Sequence, residues 1–311
     1  MTKNYDSTLM LRGRYRKHSL LSLILIIIIT LSLSLPFINY IGFLRFRPFG
    51  INNSAFQIAF IIIMIGVSSI IGGILTSYLL SPMYLFFHKI IFGYNKEFGI
   101  VDKPVPEKFR PLSMVLFPAL MAMNFSLLFS TNSTVIQVVV HWDYINSLGG
   151  YSNEVFAILS VITFISLLIL TSGAAVGLFA PAWTLQDAGI VYANKDRDST
   201  HNIEVRSVGS WYQWVLKGYS GISVILAFIV FLTAIYFNAP QGSLIDVYRT
   251  VLPMPLLLML MTLPTVIILD KIRSHRIRFI LRVARKLGIQ DRVSVKYEKI
   301  KKTTDIEESN I

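Results

Sequence analysis

Val155 to Pro181 reads VFAILSVITFISLLILTSGAAVGLFAP, 27 residues without a single Asp, Glu, Lys, Arg or His. Its apolar residues follow neither a 3.6 nor a 2.0 period, so it has no polar face to turn toward water. Runs of roughly 18 or more such residues read as membrane spans, because a helix of that length crosses a hydrocarbon core of about 30 Å. Five further runs have the same character: Leu20–Phe43, Phe56–Leu80, Leu112–Phe129, Gly218–Phe237 and Val251–Leu269. None holds an ionisable side chain. The expected fold is therefore all-α, a polytopic bundle of six spans with short amphipathic helices at the inner interface.

Composition agrees with this. Hydrophobic residues make up 54% of the 311 and charged residues only 15%, against about 25% charged in soluble domains. The net charge of +12 would suit a nucleic-acid binder, but its distribution does not. With a cytoplasmic N-terminus and six spans, only Arg45, Arg47 and Arg249 of the 29 Lys and Arg fall outside. That asymmetry follows the positive-inside rule, places both termini on the cytoplasmic side of the cell membrane, and leaves no nucleic acid to be expected. Residues 1–19 form a basic cytoplasmic tail, 20–270 the membrane domain, and 271–311 a basic amphipathic helix with a flexible tail. The first run is too long for the apolar core of a cleavable signal peptide and reads as an anchor. There are no cysteines, which excludes disulfides, thiolate metal sites and cysteine nucleophiles.

Between the spans, Ser81-Pro82 followed by apolar residues at helical spacing and then Gly93 predicts a separate short helix in the inner interface. Tyr94–Pro111 reads as an extended connector. Val135–Val140 reads as a short strand or a segment tucked into the outer interface. Trp211, Tyr212, Trp214 and Tyr219 form an aromatic group of the kind found at headgroup level. Asn52 and Asn132 each open a glycosylation acceptor pattern on predicted outer segments.

Small residues gather on two spans: Gly66, Ser69, Gly73 and Thr76 on the second, Gly173 and Gly177 on the fourth. Without side chains in the way, helix axes come closer and dispersion contacts multiply, so these positions predict tight packing. Ser172–Pro181 is similar over ten residues to the G-x-F-x-P stretch of chloride-channel-type proteins. The further glycine-rich motifs of that family have no counterpart in this chain, so the likeness is too local to carry a fold or an activity.

Polar groups inside the spans are few. Asn124 is the costliest to bury and needs a partner; Ser69, Thr171, Ser172 and Thr262 complete the candidate intramembrane polar site. Pro118 and Pro264 predict kinks. The spans carry no charge, which argues against a proton relay or a voltage sensor. His141, Asp143, Glu154 and Asp246 make a weak metal pattern, and no cofactor or metal is expected. Asp187, just past the fourth span, reads as a solvated or structurally paired carboxylate, with Lys217 and Arg206 as candidate partners. In Lys271–Gly288, an apolar stripe of Ile277, Ile280, Leu281, Ala284 and Leu287 faces a basic surface of Arg273, Arg278, Arg282, Arg285 and Lys286. That pattern predicts a helix lying on anionic headgroups of the inner leaflet, with a cytosolic protein as the second partner. A transport-type subunit, permease or channel-like, is the first functional expectation, alone or as an oligomer. The alternative is a non-enzymatic scaffold or assembly factor. An enzyme ranks last, since no nucleophile–base pair or metal set is visible.

Overall fold

The computed structural model describes residues 54–101, 111–140, 142–194, 206–238, 251–252 and 254–291. The first predicted span, the N-terminal tail, Asn52, His141, Asp246 and residues 292–311 lie outside them. The other five apolar runs are all helical. They fall in α1 (Ser54–Phe92), α2 (Pro111–Ser130), α5 (Asn153–Asp187), α6 (Val208–Asn238) and α7 (Met254–Lys271). Four of these are long and apolar enough to cross a membrane. A fifth span results if α2 is joined to the short α3 (Ser133–Val139), from which it turns by 101°.

α5 is the centre of the bundle, and α1, α2 and α6 all pack on it. Along α1 the buried positions from Ile61 to Leu85 are Ile61, Ile65, Ser69, Gly73, Ser77, Ser81 and Leu85, one in every four residues, with His88 following near the end. Since a helix turns in 3.6 residues, each step of four advances the seam by about 40°. The seam therefore winds around α1 and meets several partners in turn. A Cβ on Gly72 would overlap the backbone carbonyl of Gly173, and one on Gly173 would overlap Ser68. A Cβ on Gly73 would come to 2.9 Å from Thr265 Cγ2 and 3.1 Å from Val176 Cγ1; at Gly177 it would lie 3.0 Å from Thr76 Cγ2. Gly66 is different, with its nearest neighbour, the Met261 carbonyl, at an ordinary 3.7 Å. Gly72, which the sequence reading passes over, sits at the tightest of these crossings together with Gly173.

α1 corrects one expectation. The second span and the predicted interface helix are a single helix of 39 residues with Pro82 inside it. Proline removes one backbone hydrogen bond but does not force an end where neighbours hold the chain. The Ser77 and Ser81 hydroxyls donate to the carbonyls of Gly73 and Ser77 at 2.6 and 2.7 Å, keeping these polar groups paired within the helix. At about 1.5 Å per residue α1 is about 58 Å long, almost twice a hydrocarbon core. Its last turns overhang the bundle.

Around that overhang lies a small sheet that the sequence reading does not anticipate. Its order is β3-β2-β1-β4, from β1 (Lys96–Ile100), β2 (Ile190–Asn194), β3 (Arg206–Ser207) and β4 (Gln290–Asp291). β1 pairs antiparallel with β2, from Lys96 opposite Asn194 to Ile100 opposite Ile190, and parallel with β4. The fold is thus mostly helical rather than all-α. Three connections far apart in sequence meet at one end of the bundle, with a separate apolar core. Leu85, Ile100, Leu185, Ile190, Tyr192, Val208, Ile280, Ala284 and Ile289 make up that core. The helix α8 (Arg273–Lys286) leads into β4 through Gly288, at φ 74°. There the Gly288 and Ile289 amides donate to the carbonyls of Arg285 and Ala284, a Schellman ending that only a residue tolerant of positive φ closes readily.

At the other end Ser133–Val139 is the short helix α3, which corrects the strand alternative for that stretch. The Asn132 side chain accepts hydrogen bonds from the amides of Thr134 and Val135 and so caps α3. α3 and α4 (Trp142–Ser147) cover a third apolar cluster around Ile136, Ile145 and Leu159.

Substituting leucine for Gly72 or Gly173 is expected to cost about 1–3 kcal/mol or more through overpacking against backbone that has nowhere to move. Gly66→Ala is expected to be neutral within about 0.5 kcal/mol. Thermal unfolding of the detergent-solubilised variants checks this, and equal effects at Gly66 and Gly72 would contradict it.

Candidate functional site

Two regions hold polar groups where the surroundings are apolar. The first lies within the bundle. Ser69, Asn124 and Ser172 are fully buried, Thr262 is 1% exposed and Thr171 is 6% exposed. They do not converge on one point. Thr171 Oγ1 lies 2.7 Å from Ser126 Oγ across the α2–α5 contact and also donates to the Leu167 carbonyl. Asn124 Nδ2 donates to the Tyr219 hydroxyl on α6 at 3.3 Å. Ser172 donates to the Ile169 carbonyl, and Thr262 to that of Leu258 on its own helix. Ser69 Oγ and Asn124 Oδ1 have no hydrogen-bond partner among the described residues. The other atoms of this set bond to Ser126, to Tyr219 or to carbonyls of their own helix, whereas the buried hydroxyls of Ser160, Thr163, Ser223 and Thr265 elsewhere in the bundle have no partner among the described residues either.

The second region is where α5 ends and α8 begins. Asp187 meets two arginines from α8 there. Its carboxylate lies 2.8 Å from Arg273 and 3.7 Å from Arg276. Arg276 is 2% exposed, and its guanidinium also donates to Thr184 Oγ1 at 2.6 Å and to the Leu269 carbonyl at 2.7 Å. Burial pushes its pKa below the usual guanidinium value, and Asp187 opposes that shift. Arginine keeps its proton even so, and the cation needs every one of these partners. One buried side chain thus ties α8 to the ends of α5 and α7. The sequence does carry a signal for it: Arg276 precedes Ile280 and Ala284 by four and eight residues, a basic residue at core spacing.

α8 itself is oriented by two contacts. Phe279 packs edge-on against Tyr78 at 5.3 Å, and the Leu287 carbonyl accepts from Lys89. Eight residues of α8 therefore follow eleven of α1, roughly 12 Å against roughly 16 Å, in the same direction. α8 runs along the overhang of α1. Its apolar stripe packs on the core beneath the sheet, with Ile280 and Ala284 buried and Ile277, Leu281 and Leu287 partly buried. Arg278, Arg282, Arg285 and Lys286 are exposed on the opposite face, while Arg273 belongs to the Asp187 pair.

Beside this cap, His88 is fully buried, and neither ring nitrogen has a hydrogen-bond partner among the described residues. It is enclosed by the rings of Phe92, Phe98, Tyr192, Trp211 and Tyr212 at centroid distances of 4.5 to 5.9 Å. Tyr212 stacks on Tyr84 at 4.4 Å and donates to its carbonyl at 2.8 Å. His88 serves here as one more aromatic ring. Among the described residues no group of three His, Asp or Glu side chains could hold a metal ion. No family model matches the sequence, no curated protein matches it, and no solved structure matches the fold.

Asp187→Asn strips a buried cation of its countercharge and is expected to cost about 3–5 kcal/mol. Arg276→Met, an apolar replacement of similar length, is expected to cost less, since Asp187 is partly exposed and keeps Arg273. Unfolding of both variants in detergent gives the order, and a larger loss for Arg276→Met would contradict it.

Proposed function

We propose that this chain is a non-enzymatic, multi-pass membrane scaffold of the cell membrane. In this reading both termini are cytoplasmic, and the sheet-and-helix cap presents the basic face of α8 to an acidic partner in the cytosol. Membrane insertion is supported by the outer faces of the helices. In the best window of α1 the mean hydropathy is 2.4, yet only 22% of its residues are buried in the protein. Ile63, Ile71, Leu75 and Leu79 stand 54–60% exposed along it. A bundle so apolar on its outside is at home in hydrocarbon.

The observation that carries the scaffold reading is the closure of the intramembrane polar groups. A permease or channel needs polar side chains facing a path that water or substrate can enter. Ser69, Asn124, Thr171 and Thr262 are instead buried, and three of them bond to a neighbouring helix or to their own. At the cap, a helix with its apolar stripe occupied cannot insert into a bilayer as an interfacial helix does. What α8 still offers is charge, carried on the overhang beyond the bundle. That favours a soluble acidic surface over the headgroups as the partner of Arg278, Arg282 and Lys286. Such steering weakens with salt, as exposed charges are screened within about 8–10 Å at physiological strength.

The cysteine-free background allows a direct test. Single cysteines at Ser69, Asn124, Thr171 and Thr262 are expected to resist hydrophilic thiol reagents added from either side of sealed vesicles, while a cysteine at Arg282 reacts within minutes. Labelling of two or more of the four buried positions from either side would restore the transport reading.

A further inference from the structure

His88 stands on the overhang of α1, past Leu80 where the predicted span ends, at the point where the parts of the cap meet. Phe98 of β1, Tyr192 of β2, and Trp211 and Tyr212 of α6 all pack against its ring, with Phe92 of its own helix. Three segments far apart in sequence thus close on one imidazole. A neutral imidazole carries one N–H and one lone pair, and a charged one carries two N–H groups. The cage gives neither nitrogen a hydrogen-bond partner among the described residues. A phenylalanine would fill the same space without stranding polar atoms, so packing alone does not account for a histidine here.

The charged form suits this cage far worse than the neutral one. A buried cation without hydrogen bonds or a countercharge is much costlier than a buried dipole. The aromatic rings meet His88 tilted or edge-on, at interplanar angles of 45 to 87°, and attract a cation less well than water solvates it. On its own helix the nearest titratable groups are Tyr84, stacked on Tyr212, and Lys89, turned to the Leu287 carbonyl. β1 brings Lys96, whose ammonium lies 5.4 Å from the Tyr192 ring. Glu97, next along β1, is exposed and alternates to the other side of the strand. β2 brings Tyr192, with Arg206 of β3 opposite it, and α6 brings Tyr212. Near neutral pH these tyrosines stay neutral and the lysines and Arg206 stay charged. Burial first, and then Lys96, push the pKa of His88 from 6.5 down to about 4.

We infer that His88 is an acid-sensitive latch. Neutral, it holds β1, β2 and α6 against the overhang of α1; protonated, it leaves the aromatic cage and the cap opens. A proton accepted by the open state and refused by the closed one favours opening as pH falls from about 6.5 toward about 4. Above that range the latch stays shut. It works the same way whatever α8 binds.

The cysteine-free chain in detergent allows a test with a thiol reagent that is active in acid. Ile190→Cys places a reporter in the cap core, and Ile136→Cys places one in the cluster at the opposite end. Both rates are referred to the exposed Arg282→Cys. From about pH 7.5 to about pH 5 the Ile190→Cys rate is expected to rise about 25-fold, the share one proton contributes. Ile136→Cys is expected to change by less than about threefold. Adding His88→Phe is expected to flatten the cap profile and to slow labelling at the higher pH. Adding His275→Gln, at an exposed histidine of α8, is expected to leave the rise intact. A rise of the same size with His88→Phe would overturn the latch. So would labelling that slows in acid, which would show the rings holding an imidazolium. Ile136→Cys rising in step with Ile190→Cys would also overturn it, since acid would then loosen the whole chain.

Discussion

Gly72 and Gly173 bring the backbones of α1 and α5 so close that neither position admits a β-carbon. In an apolar medium helices gain nothing from hydrophobic association, and close backbone approach is what makes dispersion contacts numerous. Much else follows from this contact. It sets Gly73 against Thr265 and Val176, and Gly177 against Thr76. It also aligns the overhanging end of α1 with the end of α5, where Asp187 meets α8. The cap is assembled on helix ends that the crossing has already placed.

Legibility in the sequence follows the range of the interactions. The apolar runs of α1, α2, α5, α6 and α7 are plain because a span's composition is a local property. The small-residue faces are visible too, though the choice of Gly72 over Gly73 as the tightest point depends on the winding of a seam that no local pattern reveals. Ser81-Pro82 reads as a helix start because serine caps and proline suits a first turn. In the structure α1 continues through both as one helix. KEFGI and IVYAN, at Lys96–Ile100 and Ile190–Asn194, are short, and their pairing joins residues about 90 apart. Val135–Val140 is rich in β-branched residues and reads as a strand, yet the Asn132 cap starts a helix there. The polar contacts split in the same way. Asp187 is recognisable as a carboxylate in need of a cation, but its partner comes from the far end of the chain.

Polar closure and charge placement separate the two halves of the molecule. Within the bundle, the described hydroxyls and the Asn124 carboxamide mostly turn to backbone carbonyls or to a neighbouring helix. At the cap, the one deeply buried charge, Arg276, is spent on structure, and the remaining basic residues of α8 face outward along the overhang. In the proposed reading, the apolar body sits in the membrane and the charged platform beyond it meets the partner.

The account stands on a bundle that crosses the bilayer with the whole cap on one side. Single cysteines at Tyr94, Ser210 and Arg282, in the three segments that meet at the sheet, and at Val138, at the opposite end, test it in sealed vesicles with an impermeant thiol reagent. Reaction of the first three from one face only, and of Val138 from the other, is the predicted result. Labelling of the three cap positions from different faces, or of all four from the same face, would contradict it.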